Sequence, residues 1–247
     1  MPQPGNPALD AAAAPAAPKL ARVAVFCGSR SGSRPAYAAA AETLGREMAR
    51  RRMGLTYGGG TVGLMGVIAR AVHDAYAAQG GGGPSHPVPV PVLGFIPELL
   101  SPAEASGEPL GETRIVPDMH ARKAAMAAHA DTFVAMPGGF GTLEEIFEAL
   151  TWQTLGFHGK PVALLDTEGF YGGLRAQVAR MVDDGLLKRE VAAQLVVASD
   201  PVELLDALEA WRPPAKSALE LAIDERRLAS SGVAVGIDVS RPSGEAE

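Results

Sequence analysis

What most narrows the folds open to this chain is an alternation: short apolar runs, three of them ending on glycine turns, are separated by longer stretches of helical character. Val23-Ala24-Val25-Phe26-Cys27 is continuously apolar and stops at Gly28-Ser29, as a parallel strand does when both its faces are covered. Pro35 to Arg52 reads as helix, and the run Gly54 to Tyr57 enters Gly58-Gly59-Gly60. Leu64 to Gln79 predicts a helix, Leu93 to Ile96 and Thr113 to Val116 two short strands, and Met119 to Ala130 another helix. The run Thr132 to Met136 enters Pro137-Gly138-Gly139-Phe140-Gly141-Thr142, with helix expected from Thr142 to Phe157, strand from Pro161 to Leu165 and helix from Tyr171 to Asp184. Gln194 to Ala198 adds a last strand, and Asp200-Pro201-Val202-Glu203 reads as the capped start of a helix reaching about Trp211. Such repeated units predict an α/β protein with a doubly wound, mostly parallel sheet, helices on both faces and a ligand beyond the carboxyl ends of the strands.

With 247 residues, 47% of them apolar, the chain suits one globular domain with dispensable ends. Residues 1–21 read as a disordered arm rich in Ala and Pro, residues 22–212 as the folded domain, and residues 213–247 as a tail that is partly helical at most, over Ser217 to Leu228. Gly80 to Pro91 is built of helix breakers and reads as a flexible surface insertion.

A net charge of −6 argues against nucleic acid or an anionic membrane as partner, and favours small solutes. No run reaches the ~18 apolar residues of a membrane span, and the first twenty residues lack the basic start and apolar run of a secretory signal. The lone Cys27 excludes an intrachain disulfide and fits a reducing, cytoplasmic setting. His73, His86, His120, His129 and His158 are scattered without metal-ligand spacing, so no metal is expected.

The three glycine turns should share one sheet edge, where glycine lets backbone approach a ligand and exposed N–H groups at a helix start favour an anion. Each turn alone is equally a tight strand–helix connection, and none ends in the Gly-Lys-Ser/Thr of a phosphate loop. Met119, Arg122 and Met126 fall on one helical face, so Arg122 points where apolar residues point and needs an anionic partner. That partner is either a structural carboxylate or a ligand. Glu144, Glu145 and Glu148 suit the first turns of a helix, yet carboxylates beside an anion site also have a use if a neighbouring sugar ring develops positive charge.

Met119-His120-Ala121-Arg122-Lys123, followed by Pro137-Gly138-Gly139-Phe140-Gly141-Thr142-Leu143-Glu144-Glu145, resembles the paired MHxRK and PGGxGTxxE motifs of the LONELY GUY family. Phe26-Cys27-Gly28-Ser29, Tyr57-Gly58-Gly59-Gly60, Gly63-Leu64-Met65-Gly66 and Thr151-Trp152 extend the likeness over roughly residues 22 to 212. The resemblance implies a Rossmann-like fold and a homodimer with sites near the subunit contact. It implies a phosphoribohydrolase that cuts cytokinin riboside 5′-monophosphates to free base and ribose 5-phosphate, with no cofactor. Carried onto this sequence, it makes Arg122 and Glu145 the catalytic pair. Lys123, Gly139, Phe140, Gly141, Thr142 and Thr151 would bind substrate, joined by Gly28, Ser29, Gly59, Gly60, Glu98, Met119, Gly138 and Glu144. Two alternatives stay open: a nucleosidase for AMP or another purine monophosphate, and a non-catalytic nucleotide or cofactor carrier. The lysine decarboxylase label attached to some family members would require a lysine for pyridoxal phosphate, whereas Lys123 is better explained by anion binding.

Overall fold

The apolar runs become strands β1 (Arg22–Phe26), β2 (Gly54–Tyr57), β3 (Val92–Pro97), β4 (Glu112–Val116), β5 (Thr132–Ala135), β6 (Val162–Leu165) and β7 (Leu195–Ala198). Between and after them lie helices α1 (Pro35–Arg50), α2 (Gly63–Ala78), α3 (Met119–Ala128), α4 (Phe140–Thr154), α5 (Gly172–Asp183), α6 (Arg189–Ala192) and α7 (Pro201–Ala210). The structure is a computed structural model that describes residues 20–81, 88–100 and 110–214, together with Ile223 and Arg226.

All strand pairs are parallel, in the order β4-β3-β2-β1-β5-β6-β7. This is the expected doubly wound, Rossmann-like α/β sheet. The chain lays strands outward from β1 to β4 and then returns to the other side of β1 with β5, pairing Val23 with Thr132 and Val25 with Val134. The crossing point between β1 and β5 is where such sheets open a crevice at the strands' carboxyl ends. Gly28 and Gly138 both sit there.

The central strands are buried on both faces, which is why their sequences are continuously apolar rather than alternating. On one face Val25, Leu55 and Ala163 pack against Leu44 and Met48 of α1, Ile68 of α2 and Leu204 of α7. On the other, Phe26, Phe95 and Phe133 pack against Met126 of α3 and Ile146 of α4, with the Phe26 and Phe133 rings stacked at 6.0 Å. Asp200 caps α7 by accepting from the N–H groups of Val202 and Glu203, with Pro201 in the first turn, as the sequence predicts.

Three differences from expectation have physical causes. Helix α4 begins at Phe140 rather than Thr142, because Gly139 is the cap and its carbonyl already accepts from Leu143. The end of the Gly80–Pro91 segment is anchored rather than loose: Val88 is buried in space left by the missing side chain of Gly54, and Arg22 Nη2 donates to the Val90 carbonyl at 2.6 Å. Order also begins before Arg22, for Leu20 is buried and Asp131 Oδ2 accepts from both Ala21 and Arg22 N–H at 2.9 Å. Residues 1–19, the core of the insertion at 82–87, and most of the tail lie outside the described residues. No helix among the described residues is long and apolar enough to cross a membrane.

Candidate active site

The turns after β1 and β5 are bonded to each other and to the start of α2. Gly28 N–H donates to the Pro137 carbonyl and the Gly28 carbonyl accepts from Leu64, both at 3.1 Å. A Cβ on Gly138 would overlap the Thr142 hydroxyl, so glycine here is what lets buried Thr142 fold back beneath the turn. Gly139 caps α4 with extended backbone and no side-chain bond, leaving the N–H groups of Phe140, Gly141 and Thr142 as the positive end of a 15-residue helix. Among the described residues, built Cβ atoms on Gly139 and Gly141 would meet nothing within 4 Å, and Phe140 is 93% exposed. The crest of the turn is therefore open backbone of the kind that receives phosphate.

A strut holds this turn from below. Tyr171 donates its hydroxyl to the Met136 carbonyl at 2.6 Å, and its own N–H is fixed by Asp166 Oδ1 at 2.6 Å. Burial pushes the Tyr171 phenol above its ordinary range, so it stays a donor.

Asp118 caps α3 through Ala121 N–H at 2.8 Å and so sets where Arg122 projects. The Arg122 and Glu145 side chains are only 8% and 7% exposed, and Nη2 lies 3.6 Å from Oε1. That is ion-pair contact, but longer than a hydrogen bond. The guanidinium reaches the β2 turn with its Nη2 end: a Cβ on Gly58 would overlap Nη2 and stand 2.9 Å from Cζ and 3.0 Å from Met65 Sδ. Nη1 approaches Met119 Sδ at 3.8 Å, while the buried Nε has no hydrogen-bond partner among the described residues. A buried arginine donor left unsatisfied by the described residues still has the capacity to donate to one more oxygen. Burial, then the negative charge of Glu145, push the Cys27 thiol well above its ordinary range, which keeps it protonated and a poor nucleophile.

The remaining expected residues divide. Gly28 is buried against Pro137 and Gly138, Gly59 is buried against Phe95 and Ile96 of β3 with Gly60 buried next to it in the chain, and Ser29 and Met119 are exposed. Glu98 is on the same sheet edge just past β3, its N–H bonded to the Val116 carbonyl and its side chain in solvent. Lys123, expected to bind substrate, donates to the carboxylates of Glu144 at 2.5 Å and Glu148 at 3.0 Å. Thr151 is not brought to the glycine turns. Its hydroxyl bonds back to the Phe147 carbonyl at 2.7 Å, and it lines a hollow of about 300 Å³ with Leu150, Leu155, Met181, Leu187 and Val191.

Sequence reasoning missed three contributors. Gly58 is absent from the expected residues, which take only Gly59 and Gly60 from this turn, although Gly58 is where Arg122 sits. Asp118 carried a readable signal, an Asp directly before a helical face. Tyr171 carried none, since its bond to Met136 spans 35 residues.

Residues 65–208 match the family model described as possible lysine decarboxylase. The chain is 46% identical over 195 residues to the Arabidopsis thaliana cytokinin riboside 5′-monophosphate phosphoribohydrolase LOG7, covering 79% of this chain and 84% of that one. It is 47% identical to LOG5 of the same plant, covering 79% and 80%. Among solved structures, the molybdenum cofactor binding protein of Rippkaea orientalis superposes with a TM-score of 0.55 at 20% identity, covering 78% of this chain and 97% of that one. A molybdenum cofactor carrier protein of Chlamydomonas reinhardtii gives 0.56 at 19%, covering 78% and 98%. At that identity these two show the shared fold and nothing finer.

Proposed function

Since this chain belongs to the LONELY GUY family, we propose that it hydrolyses the N-glycosidic bond of cytokinin riboside 5′-monophosphates, releasing the free base and ribose 5-phosphate. The observation that carries the reading is the buried Arg122–Glu145 pair beside a turn of open backbone at the start of α4.

In this mechanism the 5′-phosphate rests on the N–H groups of Phe140, Gly141 and Thr142, where the helix end is positive. The ribose then faces Arg122 and Glu145. As the C1′–N bond breaks, its electron pair leaves with the base and the sugar takes on oxocarbenium character, which the Glu145 carboxylate stabilises. Glu145 also orients the water whose oxygen bonds to C1′. One proton of that water goes to the departing base, and the other remains on the new hydroxyl. Arg122 holds Glu145 by its 3.6 Å ion-pair contact, and its Nε–H meets a ligand oxygen.

The family model's description suggests decarboxylation, but pyridoxal phosphate needs an available lysine amine. Lys123 is bonded to two carboxylates and Lys160 Nζ to the Ala127 carbonyl at 2.7 Å, so neither fits. The assembly we propose is a homodimer through the face of α4 and α5. Support comes from α5, none of whose residues is buried, and from Phe147, Leu155, Phe157 and Leu186, which present apolar surface around it. A second copy seated there would also account for Thr151 lying on this face. A cytoplasmic setting rests on the lone, buried, reduced Cys27.

The test is product analysis with isopentenyladenosine 5′-monophosphate, its nucleoside and triphosphate, and AMP. Base release should require the monophosphate and be faster for the prenylated substrate. Equal efficiency on AMP would make the protein a general nucleosidase, and tight binding without base release over hours would make it a carrier.

A further inference from the structure

Arg122 and Lys123 are consecutive on α3, and Glu145 and Glu144 are consecutive on α4. The two helices pack on different parts of the same sheet face, α3 on β3 and β4, α4 on β5, β1 and β6. Two ion-pair rungs cross between them. The inner one, Arg122 to Glu145, is 3.6 Å long. The outer one is tight and doubled, Lys123 Nζ to Glu144 Oε1 at 2.5 Å and to Glu148 Oε1 at 3.0 Å. Glu144 and Glu148 stand one helical turn apart, so a single ammonium group bridges both.

This arrangement is unsuited to holding phosphate. The Lys123 side chain is 9% exposed, and one positive charge between two carboxylates leaves the cluster net negative. A phosphate could not reach the ammonium without displacing a carboxylate and facing its repulsion. Burial pulls the Lys123 pKa down, but the bonds from Glu144 and Glu148 outweigh it and hold the amine above its ordinary value, so the rung persists through neutral pH.

We propose that Lys123 is a positioning residue: with Glu144 and Glu148 it clamps α3 to α4 and thereby fixes the gap across which Arg122 and Glu145 act. This rests on the hydrolase reading above. The clamp sits one residue outside the reacting groups on each helix, so it sets their spacing without occupying the cleft. The looser inner rung leaves Arg122 and Glu145 able to exchange part of their mutual contact for contact with the sugar. Lys123 therefore acts through kcat, by geometry, and not through phosphate affinity.

The experiment compares the intact wild-type chain with Lys123→Met, Lys123→Arg, the pair Glu144→Gln/Glu148→Gln, and the triple variant carrying Lys123→Met with both glutamines. Base release from isopentenyladenosine 5′-monophosphate, inhibition by ribose 5-phosphate, and thermal melting are read for each. Lys123→Met and the glutamine pair should each lower kcat about 10- to 100-fold, the range expected for ångström-scale misplacement. KM and the inhibition constant should stay within about threefold. The triple variant should be no worse than either, because all three residues form one device, and Lys123→Arg should restore most of kcat. Should Lys123→Met not fold, the near-isosteric glutamine pair carries the same test. Inhibition weakened tenfold or more in Lys123→Met, with the glutamine pair active, would overturn the clamp and return Lys123 to phosphate. Unaltered kcat in Lys123→Met beside an active wild type overturns the clamp alone. Absent turnover by the wild type would overturn the hydrolase reading and the clamp with it.

Discussion

Gly58→Ala is a one-methyl perturbation whose cost falls on a single side chain. Gly58 is buried at the end of β2 and its φ is not positive, so alanine suits the backbone itself. The added Cβ would overlap Arg122 Nη2 and stand 2.9 Å from Cζ, where ordinary contact begins at 3.4 Å. Met65 Sδ is also only 3.0 Å from that Cβ, which narrows the room for the methyl, so the guanidinium must move. Cζ has to shift by about 0.5 Å and Nη2 by more than 1 Å to reach ordinary contact, and misplacement on that scale costs on the order of 10²-fold in rate, or about 2.7 kcal/mol of transition-state stabilisation. Steady-state base release should therefore show kcat lowered about 10- to 100-fold, with the melting transition retained as the sign that the core is intact. The decisive arm is Gly58→Ala combined with Arg122→Ala. With the guanidinium gone the methyl has nothing to displace, so the double variant should match Arg122→Ala alone. A double variant slower by the full product of the two single effects, or Gly58→Ala with wild-type kcat, would refute the idea that Gly58 works by seating Arg122.

Two further predictions concern the scaffold. Tyr171→Phe removes the donor beneath the glycine turn and leaves the buried Met136 carbonyl unpaired. It should lower unfolding free energy by about 1–3 kcal/mol in a denaturant titration, and an unchanged midpoint would mean the strut is idle. His158 is held down to about 4 from 6.5 by burial and then by the nearby Lys160 charge. The unfolded chain takes up this proton first, so His158 contributes stability that is present above pH 6.5 and lost as pH falls toward 4. His158→Gln should flatten the melting-temperature profile across that window, and an identical slope in both proteins would rule His158 out as the cause.

Much of this architecture could be read from the chain because its signals are local. β1, β5 and β6 are buried on both faces, so their apolar runs stand out without structure. The side of a helix a residue occupies is also local, which is how Arg122 was expected among apolar neighbours and is found buried against Gly58 and Glu145. The same geometry bears on Thr151. Six residues beyond Glu145 is about 240° round the helix, so within one chain the two side chains leave α4 in different directions. The motif resemblance grouped them, and the structure separates them. Lys123 could not be resolved locally, because a lysine in a basic motif looks alike whether its partner is a phosphate or a carboxylate on another helix. In the structure it bonds Glu144 and Glu148, 21 and 25 residues away, which no local pattern around Lys123 announces. Val88 illustrates the same limit, since Gly54, 34 positions earlier, makes the space it fills.

The central claim, that Arg122 and Glu145 turn a phosphate-binding crevice into a glycosidic hydrolase, is tested most directly by quantifying both products from isopentenyladenosine 5′-monophosphate. Free base and ribose 5-phosphate should appear in equal amounts with the wild-type chain. Glu145→Gln and Arg122→Ala, folded by thermal melting, should each lose about 10²-fold or more in kcat. Undiminished release by both variants would contradict the account.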